Sequence, residues 1–193
     1  ALAVLTGRRV TEIVIKGEFV ETAHPHAVAF KGQQKKKDEI EAFIIPTLVP
    51  AKDIIEAIKS FRKHPEVAIL ANQDYKAVQG SVGAKINRRV DQMFGELIPI
   101  IKGRKSVSVH SLRGVYAALC CLWLKPYEQS NVRFLEAILG HITGIELDRQ
   151  ANSRATEHYD RYYVIDRSGM PLAPITASLQ NMAPYQSGFP QKR

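Results

Sequence analysis

Disulfide bridges and zinc-binding cysteine clusters are the first features that this sequence lacks. Its two cysteines, Cys120 and Cys121, are adjacent within an apolar stretch, so they cannot join distant segments. No apolar run is long enough to span a bilayer, and we find neither the regions of a signal peptide nor a lipidation signal. These absences favour an intracellular, reducing compartment, the cytoplasm.

Acidic residues are few for the number of basic ones. The 193 residues include 27 Lys and Arg against 19 Asp and Glu, a formal net charge of +8. Such a surplus favours a polyanionic partner. Apolar residues make up 45% and charged residues 24%, which is typical of one globular domain, with or without a tail. Because residues 1–5 have the pattern of the middle of a buried helix, we expect this chain to be one domain of a longer protein.

A β-hairpin with a basic loop is predicted near the start of the chain. Two apolar runs of strand length, 27–30 and 42–45, flank the lysine-rich segment 32–39.

Most of the remaining chain is predicted to be helical. Apolar residues recur at helical spacing in 1–13 (with a corner at Gly7), 54–61, 84–98, 111–123 and 132–139. The stretch 111–123 has the broadest apolar stripe, and we expect Tyr116 and Trp123 to lie in the core. Pro65 is expected to end the helix predicted over 54–61.

The predicted fold class is α+β, mostly α, with a small antiparallel sheet near the N-terminus. Residues 142–154 are polar enough to form an inserted loop. From Asp166 onward, serine, glycine and proline replace any periodicity. We therefore predict a domain over 1–165 and a C-terminal tail over 166–193, docked elsewhere or mobile.

Six residues have a characteristic order along the chain. They run as Arg, Lys, His-x-x-Arg, Gly-His and Tyr, at Arg9, Lys35, His110, Arg113, His141 and Tyr159. In this order they resemble the catalytic domain of the tyrosine recombinases and type IB topoisomerases. His110 and Arg113 are three positions apart, which places them on one face if the helix already includes His110.

One branch of this superfamily, the telomere resolvases or protelomerases, resembles the chain from about residue 2 to residue 163. The similarity is carried by Gly7-Arg8-Arg9, Gly17-Glu18-Phe19 and Gly32-Gln33-Gln34-Lys35. The later blocks, Ser111 to Ala117 and Ile138 to His141, indicate the superfamily only. The resemblance implies the tyrosine recombinase fold, with all six ordered residues catalytic.

The sequence departs from the branch at two places. His110 stands where the branch has lysine, although most recombinases have histidine there. Between His141 and Tyr159 lie 17 residues, more than in the usual pattern, so a loop has been inserted if Tyr159 is the nucleophile. Tyr162 and Tyr163 therefore stay open as alternatives.

The chemistry of strand cleavage explains why these residue types belong together. Cutting DNA reversibly without ATP requires that the phosphodiester energy be kept in a covalent bond, such as a 3′-phosphotyrosine. Arginines suit the clamp on the phosphate, which assigns Arg9 and Arg113, with His110 and His141 as further donors. The resemblance implies that Lys35 protonates the leaving 5′-oxygen. No cofactor and no metal is required.

Neighbouring residues have plainer interpretations. Arg8 is the nearest competitor of Arg9, and Glu12 is expected to orient an arginine or cap a helix. Two of the loop lysines around Lys35 are expected to be merely solvated. His24 and His26 lack a third ligand, so we assign no metal site.

The predicted function is resolution of replicated palindromic telomeres into covalently closed hairpin ends, by a homodimer on double-stranded DNA at the nucleoid of a bacterium or phage-infected cell. The alternative within the same chemistry is a conventional recombinase or integrase that exchanges strands between two duplexes, which His110 favours. A third is a DNA-binding module that has lost catalysis.

Overall fold

Regular segments alternate with short turns in the described part of the chain. The computed structural model describes residues 1–33, 42–101, 103–126, 128–141, 156, 158–160 and 162–173. The helices are α1 (Leu2–Thr6), a π-helical turn (Glu12–Lys16), α2 (Ala51–Lys63), α3 (Pro65–Ala68), α4 (Tyr75–Phe94), α5 (Val109–Trp123) and α6 (Asn131–Leu139). The strands are β1 (Glu18–Glu21), β2 (Ala27–Lys31) and β3 (Phe43–Pro46).

The first corner of the chain forms at Gly7, as predicted. Gly7 ends α1 with a φ of 63°, and a side-chain carbon there would lie 2.2 Å from the ring of Tyr116. Only glycine meets both demands, because L-residues with a side chain rarely adopt this backbone conformation. The resumed helical pattern becomes the π-helical turn, which ends where the Gly17 amide donates to the Glu12 carbonyl at 2.6 Å.

The predicted hairpin is confirmed, and the sheet has one more strand than expected. The three strands lie in the order β1-β2-β3, all antiparallel, with Phe30 opposite both Phe19 and Phe43. Strand β1 was not predicted because its ends, Glu18 and Glu21, are exposed and charged, so the strand lacks a regular apolar alternation. Residues 34–41, which include Lys35 and most of the predicted loop, lie outside the described residues.

Two helix boundaries differ from those predicted. Helix α4 begins at Tyr75 rather than at 84, because the Asp74 carboxylate caps it by accepting from the amides of Lys76 at 2.7 Å and Ala77 at 2.9 Å. It also ends at Phe94, which leaves Leu97 beyond the helix and 77% exposed. Pro65, expected only to end α2, also starts α3.

Helices α5 and α6 form the centre of the main core. Tyr116 and Cys120 of α5 pack with Phe134 and Ile138 of α6, all fully buried. The prediction that Trp123 lies in the core is wrong: its side chain is 40% exposed because α5 ends at that residue. Helix α6 ends at Gly140 in the left-handed conformation, with a φ of 70°, as its position before His141 predicts.

The insertion predicted over 142–154 lies outside the described residues. So do residues 174–193, which form most of the predicted tail. The domain boundary at 165 stays a prediction. Within the described residues, no helix is long and apolar enough to cross a membrane.

Candidate active site

Five of the six predicted site residues belong to the described part of the chain, and four of them are in mutual contact. His110 and Arg113 come from α5, His141 follows the end of α6, and Tyr159 lies in the short described segment 158–160. Their contacts join all four. Arg9 lies between α1 and the π-helical turn and shares a cleft with His110 and Arg113. Lys35 lies outside the described residues.

Arg113 is the buried centre of the site. Its side chain is 2% exposed; Nη1 donates to the Gly7 carbonyl and Nη2 to the Leu139 carbonyl at 2.8 Å. Among the described residues, its buried Nε has no partner. Burial, with the nearby charges of Arg8 and Arg9, lowers the pKa of Arg113 to about 9. The guanidinium is therefore still charged at neutral pH, and the nearby Glu12 carboxylate offsets only part of the cost of its burial.

Arg9 is oriented by Glu12, as expected. Its Nη1 lies 2.6 Å from Glu12 Oε1, and its own amide donates to the other carboxylate oxygen at 3.0 Å. The Arg9 side chain is 24% exposed whereas Glu12 is buried at 1%, so one end of the pair faces the cleft. Burial by itself raises the pKa of Glu12, but the charges of Arg8, Arg9 and Arg113 together lower it below its ordinary value. Glu12 is thus an anion among three cations.

Arg8, the competitor of Arg9, is held as part of the core. Its Cζ lies 4.8 Å from the centre of the Phe30 ring and 5.5 Å from that of Phe43. Its Nη2 donates to the Ile138 carbonyl at 2.7 Å, and the residue is 1% exposed. Arg8 therefore joins the sheet to α6, while Arg9 is the arginine of the pair whose side chain remains accessible.

Tyr159 lies between the two predicted histidines. Its hydroxyl is 3.3 Å from Nε2 of His110, and its ring centre is 5.9 Å from that of His141. The Cζ of Arg113 lies 5.6 Å from the same ring. Tyr159 is 6% exposed whereas His110 is exposed, so the tyrosine hydroxyl reaches the site from the core side.

The two alternative tyrosines occupy different positions. Tyr162 packs against α5 so closely that a side-chain carbon at Gly114 would lie 2.5 Å from its ring. Burial raises the pKa of the Tyr162 hydroxyl. Tyr163 is 71% exposed. Neither shows the contacts with His110 and Arg113 that Tyr159 makes, which favours Tyr159 as the nucleophile.

The first turn of α5 is fixed by α4. The carboxylate of Asp91 accepts from the Val107 amide at 2.8 Å, and the side chain of Asn87 accepts from the Val109 amide at 3.1 Å. The Ser108 amide donates to the Ser111 hydroxyl at 3.1 Å. These bonds fix the position of the first turn of α5, which carries His110.

A cleft of about 420 Å³ opens beside these residues. The residues that line it include the predicted Arg9, His110 and Arg113. They also include Gln79, Asn87 and Arg104, which the sequence did not predict. No carboxylate is among the described residues that line it, so the cleft is basic and suits a phosphate. Gln79 belongs to the first part of α4, which was not predicted to be helical. Asn87 and Arg104 carry no motif that could have revealed them.

Solved structures with the same fold include complexes with DNA. A selenomethionine form of protelomerase TelA covalently complexed with substrate DNA matches with a TM-score of 0.72 and 20% identity, over 84% of this chain and 51% of that one. A TelA mutant complexed with DNA hairpin product gives 0.71 and 19%, over 83% and 50%. Protelomerase TelK complexed with substrate DNA gives 0.61 and 23%, over 79% and 30%. The chain thus spans about half or less of these proteins.

These likenesses show the fold: a mostly helical tyrosine recombinase-like domain with a small antiparallel sheet, as predicted. The family model of the telomere resolvase ResT/TelK catalytic domain matches residues 1–162, and the chain belongs to that family. The resemblance noted in the sequence is thereby confirmed. No curated protein sequence matches the chain.

Proposed function

We propose that this chain is the catalytic domain of an enzyme that cuts and rejoins DNA strands through Tyr159 and converts replicated palindromic telomeres into hairpin ends. The observation that carries the proposal is the convergence of Tyr159, His110 and Arg113 beside a basic cleft, in a chain of the telomere resolvase family. Such an enzyme works at the nucleoid, in the cytoplasm.

In the first step, the Tyr159 oxygen attacks the scissile phosphorus and the bond from phosphorus to the 5′-oxygen breaks. The phenol proton passes to Nε2 of His110, which lies 3.3 Å from the hydroxyl, so His110 acts here as a base and not as the phosphate donor predicted from the sequence. The products are a 3′-phosphotyrosine and a free 5′-hydroxyl. The leaving oxygen takes its proton from Lys35, the role that the resemblance implies.

The phosphate becomes more negative in the transition state, and cations fixed in advance stabilise it. Arg113 uses two of its N–H groups on carbonyls and keeps others for the phosphate oxygens. His141 lies beside it, with Nε2 3.5 Å from Nη2 of Arg113. Arg9 completes the clamp: its ion pair with Glu12 orients the guanidinium, and Arg9 lines the cleft.

In the second step, the phosphotyrosine is the electrophile. Two protomers on one palindrome each cut one strand, and each free 5′-hydroxyl attacks the phosphotyrosine of the opposite strand. The attacking 5′-hydroxyl gives its proton back to Lys35, the new phosphodiester closes the hairpin, and the bond from phosphorus to the Tyr159 oxygen breaks. The Tyr159 oxygen recovers its proton from His110. The energy of one phosphodiester is kept throughout, so neither ATP nor a metal ion is consumed or required.

The role of Lys35 has its own chemical test. A 5′-bridging phosphorothioate has a thiolate leaving group that needs no proton, so it should restore cleavage to Lys35→Ala but not to Tyr159→Phe. Lys36→Ala is the matched control and should cleave the ordinary phosphodiester at the wild-type rate. If Lys36→Ala shows the rescued defect instead, the donor has been assigned to the wrong lysine.

The overall function is tested by incubating full-length protein with a single palindromic duplex. Snap-back hairpins on a denaturing gel support resolution, whereas products that join two duplexes support the strand-exchanging recombinase that His110 favours. Mass spectrometry of the peptide trapped on a nicked duplex names the nucleophile. An adduct on Tyr162 or Tyr163, or one still formed by Tyr159→Phe, contradicts the mechanism.

A further inference from the structure

The carbonyl of Leu139 is shared by two side chains from distant parts of the chain. It accepts from Nη2 of Arg113 at 2.8 Å and from Nε2 of Gln33 at 3.1 Å. The same Gln33 nitrogen also donates to the Gly140 carbonyl at 2.8 Å. Two carbonyl acceptors identify this end of the side chain as the amide NH₂, since a carbonyl oxygen cannot donate.

Both acceptors lie where the site needs fixed geometry. The last carbonyls of a helix have no partner within the helix, so other groups must satisfy them. Here the Leu139 carbonyl orients Arg113, and the Gly140 carbonyl belongs to the peptide that leads directly into His141. A donor that holds both peptides therefore acts on the positions of both side chains.

The close approach of Gln33 depends on two glycines. A side-chain carbon at Gly140 would lie 2.7 Å from Nε2 of Gln33, so the contact exists only because Gly140 has none. Gly32, with a φ of 94°, turns the chain at the end of β2, and a side-chain carbon there would lie 2.2 Å from the Lys16 carbonyl. Gln33 is thus placed by the sheet and the π-helical turn, not by α6 itself.

We propose that Gln33 is a positioning residue for the phosphate clamp: it links the β-sheet to the end of α6 and thereby holds Arg113 and His141 in the geometry that stabilises the transition state. This inference rests on the proposed function. It differs from the assignment of Lys35, because Gln33 acts on the phosphate oxygens through Arg113 and not on the leaving group.

The test uses Gln33→Met, which keeps the length of the side chain and removes its donors. Gln73→Met is the matched control, since Gln73 is exposed in the turn before α4. Single-turnover cleavage by the full chain is measured on three duplexes: the phosphodiester, a methylphosphonate at the scissile position, and a 5′-bridging phosphorothioate. The methylphosphonate is neutral and depends less on the clamp.

We expect Gln33→Met to cleave the phosphodiester about tenfold more slowly than the wild type, with DNA affinity changed by less than about twofold. On the methylphosphonate the ratio of the wild-type cleavage rate to that of Gln33→Met should shrink to about two. On the phosphorothioate the same ratio should stay near ten. Gln73→Met should match the wild type throughout. No defect, an equal defect on all three substrates, or rescue by the bridging sulfur alone would overturn the proposal.

A second measurement separates this inference from the proposed function. Nitrogen-15 NMR of the free protein reports the Arg113 Nε–H and the His141 ring directly. Both signals should shift in Gln33→Met and stay in place in Gln73→Met, while circular dichroism shows that both variants are folded. If the Arg113 and His141 signals are unchanged in a folded Gln33→Met protein, the inference is wrong. If the wild type cleaves no DNA, the proposed function fails, and the NMR result still decides the role of Gln33.

Discussion

The hydroxyl of Tyr159 lies 3.3 Å from Nε2 of His110, although 49 positions separate the two residues. Their ring centres are 5.5 Å apart, and His110 is exposed while Tyr159 is 6% exposed. The pair therefore sits where the core meets the cleft. A tyrosine in this position can be held rigidly by packing and still present its oxygen to a phosphate.

Removal of the His110 ring should slow cleavage and leave binding almost intact. His110→Ala should lower the single-turnover cleavage rate by about 100-fold, because Tyr159 loses the acceptor for its proton. His158→Ala is the matched control, since this exposed histidine is the chain neighbour of Tyr159. Gel-based cleavage assays with both variants check the prediction. A defect of equal size in both, or one confined to DNA affinity, would contradict it.

The adjacent arginines should fail in different ways. Arg9→Lys should lower the cleavage rate by about 100-fold with little change in stability, because lysine cannot reproduce the two-pronged contact with phosphate. Arg8→Lys should instead lower the free energy of unfolding by about 2 kcal/mol, since the buried Ile138 carbonyl loses its donor. Urea unfolding and single-turnover kinetics separate the two. If the effects are exchanged, Arg8 is the clamp arginine.

Glu12 should make the stability depend on pH. The charges of Arg8, Arg9 and Arg113 outweigh burial, so the pKa of Glu12 in the folded state lies below its ordinary value of 4.5. The ionised carboxylate therefore stabilises the fold above about pH 4.5, and this stabilisation is lost as the pH falls through the folded-state pKa. Glu12→Gln should be less stable at pH 7 by about 3 kcal/mol, because it leaves buried cations unpaired.

The measurement for Glu12 is urea unfolding between pH 3 and pH 7. The stability of Glu12→Gln should vary less steeply below pH 4.5 than that of the wild type. Glu21→Gln, on the exposed end of β1, is the control and should follow the wild-type curve. Parallel curves for Glu12→Gln and wild type would show that the carboxylate is not ionised among the arginines.

Two glycines with positive φ should respond differently to alanine. Gly103→Ala should cost about 1 kcal/mol, because the backbone is strained but no atom lies within 4 Å of the new carbon. Gly7→Ala should cost about 3 kcal/mol, since the new carbon also overlaps the Tyr116 ring. The Gly7 carbonyl accepts from Arg113, so cleavage should fall as well. Equal losses of stability in urea would refute the packing argument at Gly7.

Local signals were enough to predict much of the fold. Helices α5 and α6, the corner at Gly7 and the hairpin of β2 and β3 follow from apolar spacing and glycine positions, because these patterns act within a few residues. Where the prediction was wrong, a neighbour decided the outcome. The cap by Asp74 extends α4, the end of α5 exposes Trp123, and β1 forms because β2 offers it an edge.

The candidate site divides in a similar way. The order Arg9, His110, Arg113, His141 and Tyr159 can be recognised in the sequence because the proposed strand cleavage needs those side-chain chemistries, whatever the fold around them. Lys35 lies outside the described residues, so its role as the proton donor stays a prediction. Which arginine of the pair enters the core, and which tyrosine meets His110, depends on packing against Phe30, Phe43 and Gly114.

By itself, then, the sequence determined the chemical groups of this protein and the helices and hairpin that carry most of them. Only the tertiary structure decided that Arg8 is buried, that Gln33 and Arg113 share the Leu139 carbonyl, and that α4 completes the basic cleft. The physical reason is range: helix and turn signals act between near neighbours, whereas burial and shared hydrogen bonds depend on segments that meet only when the chain has folded.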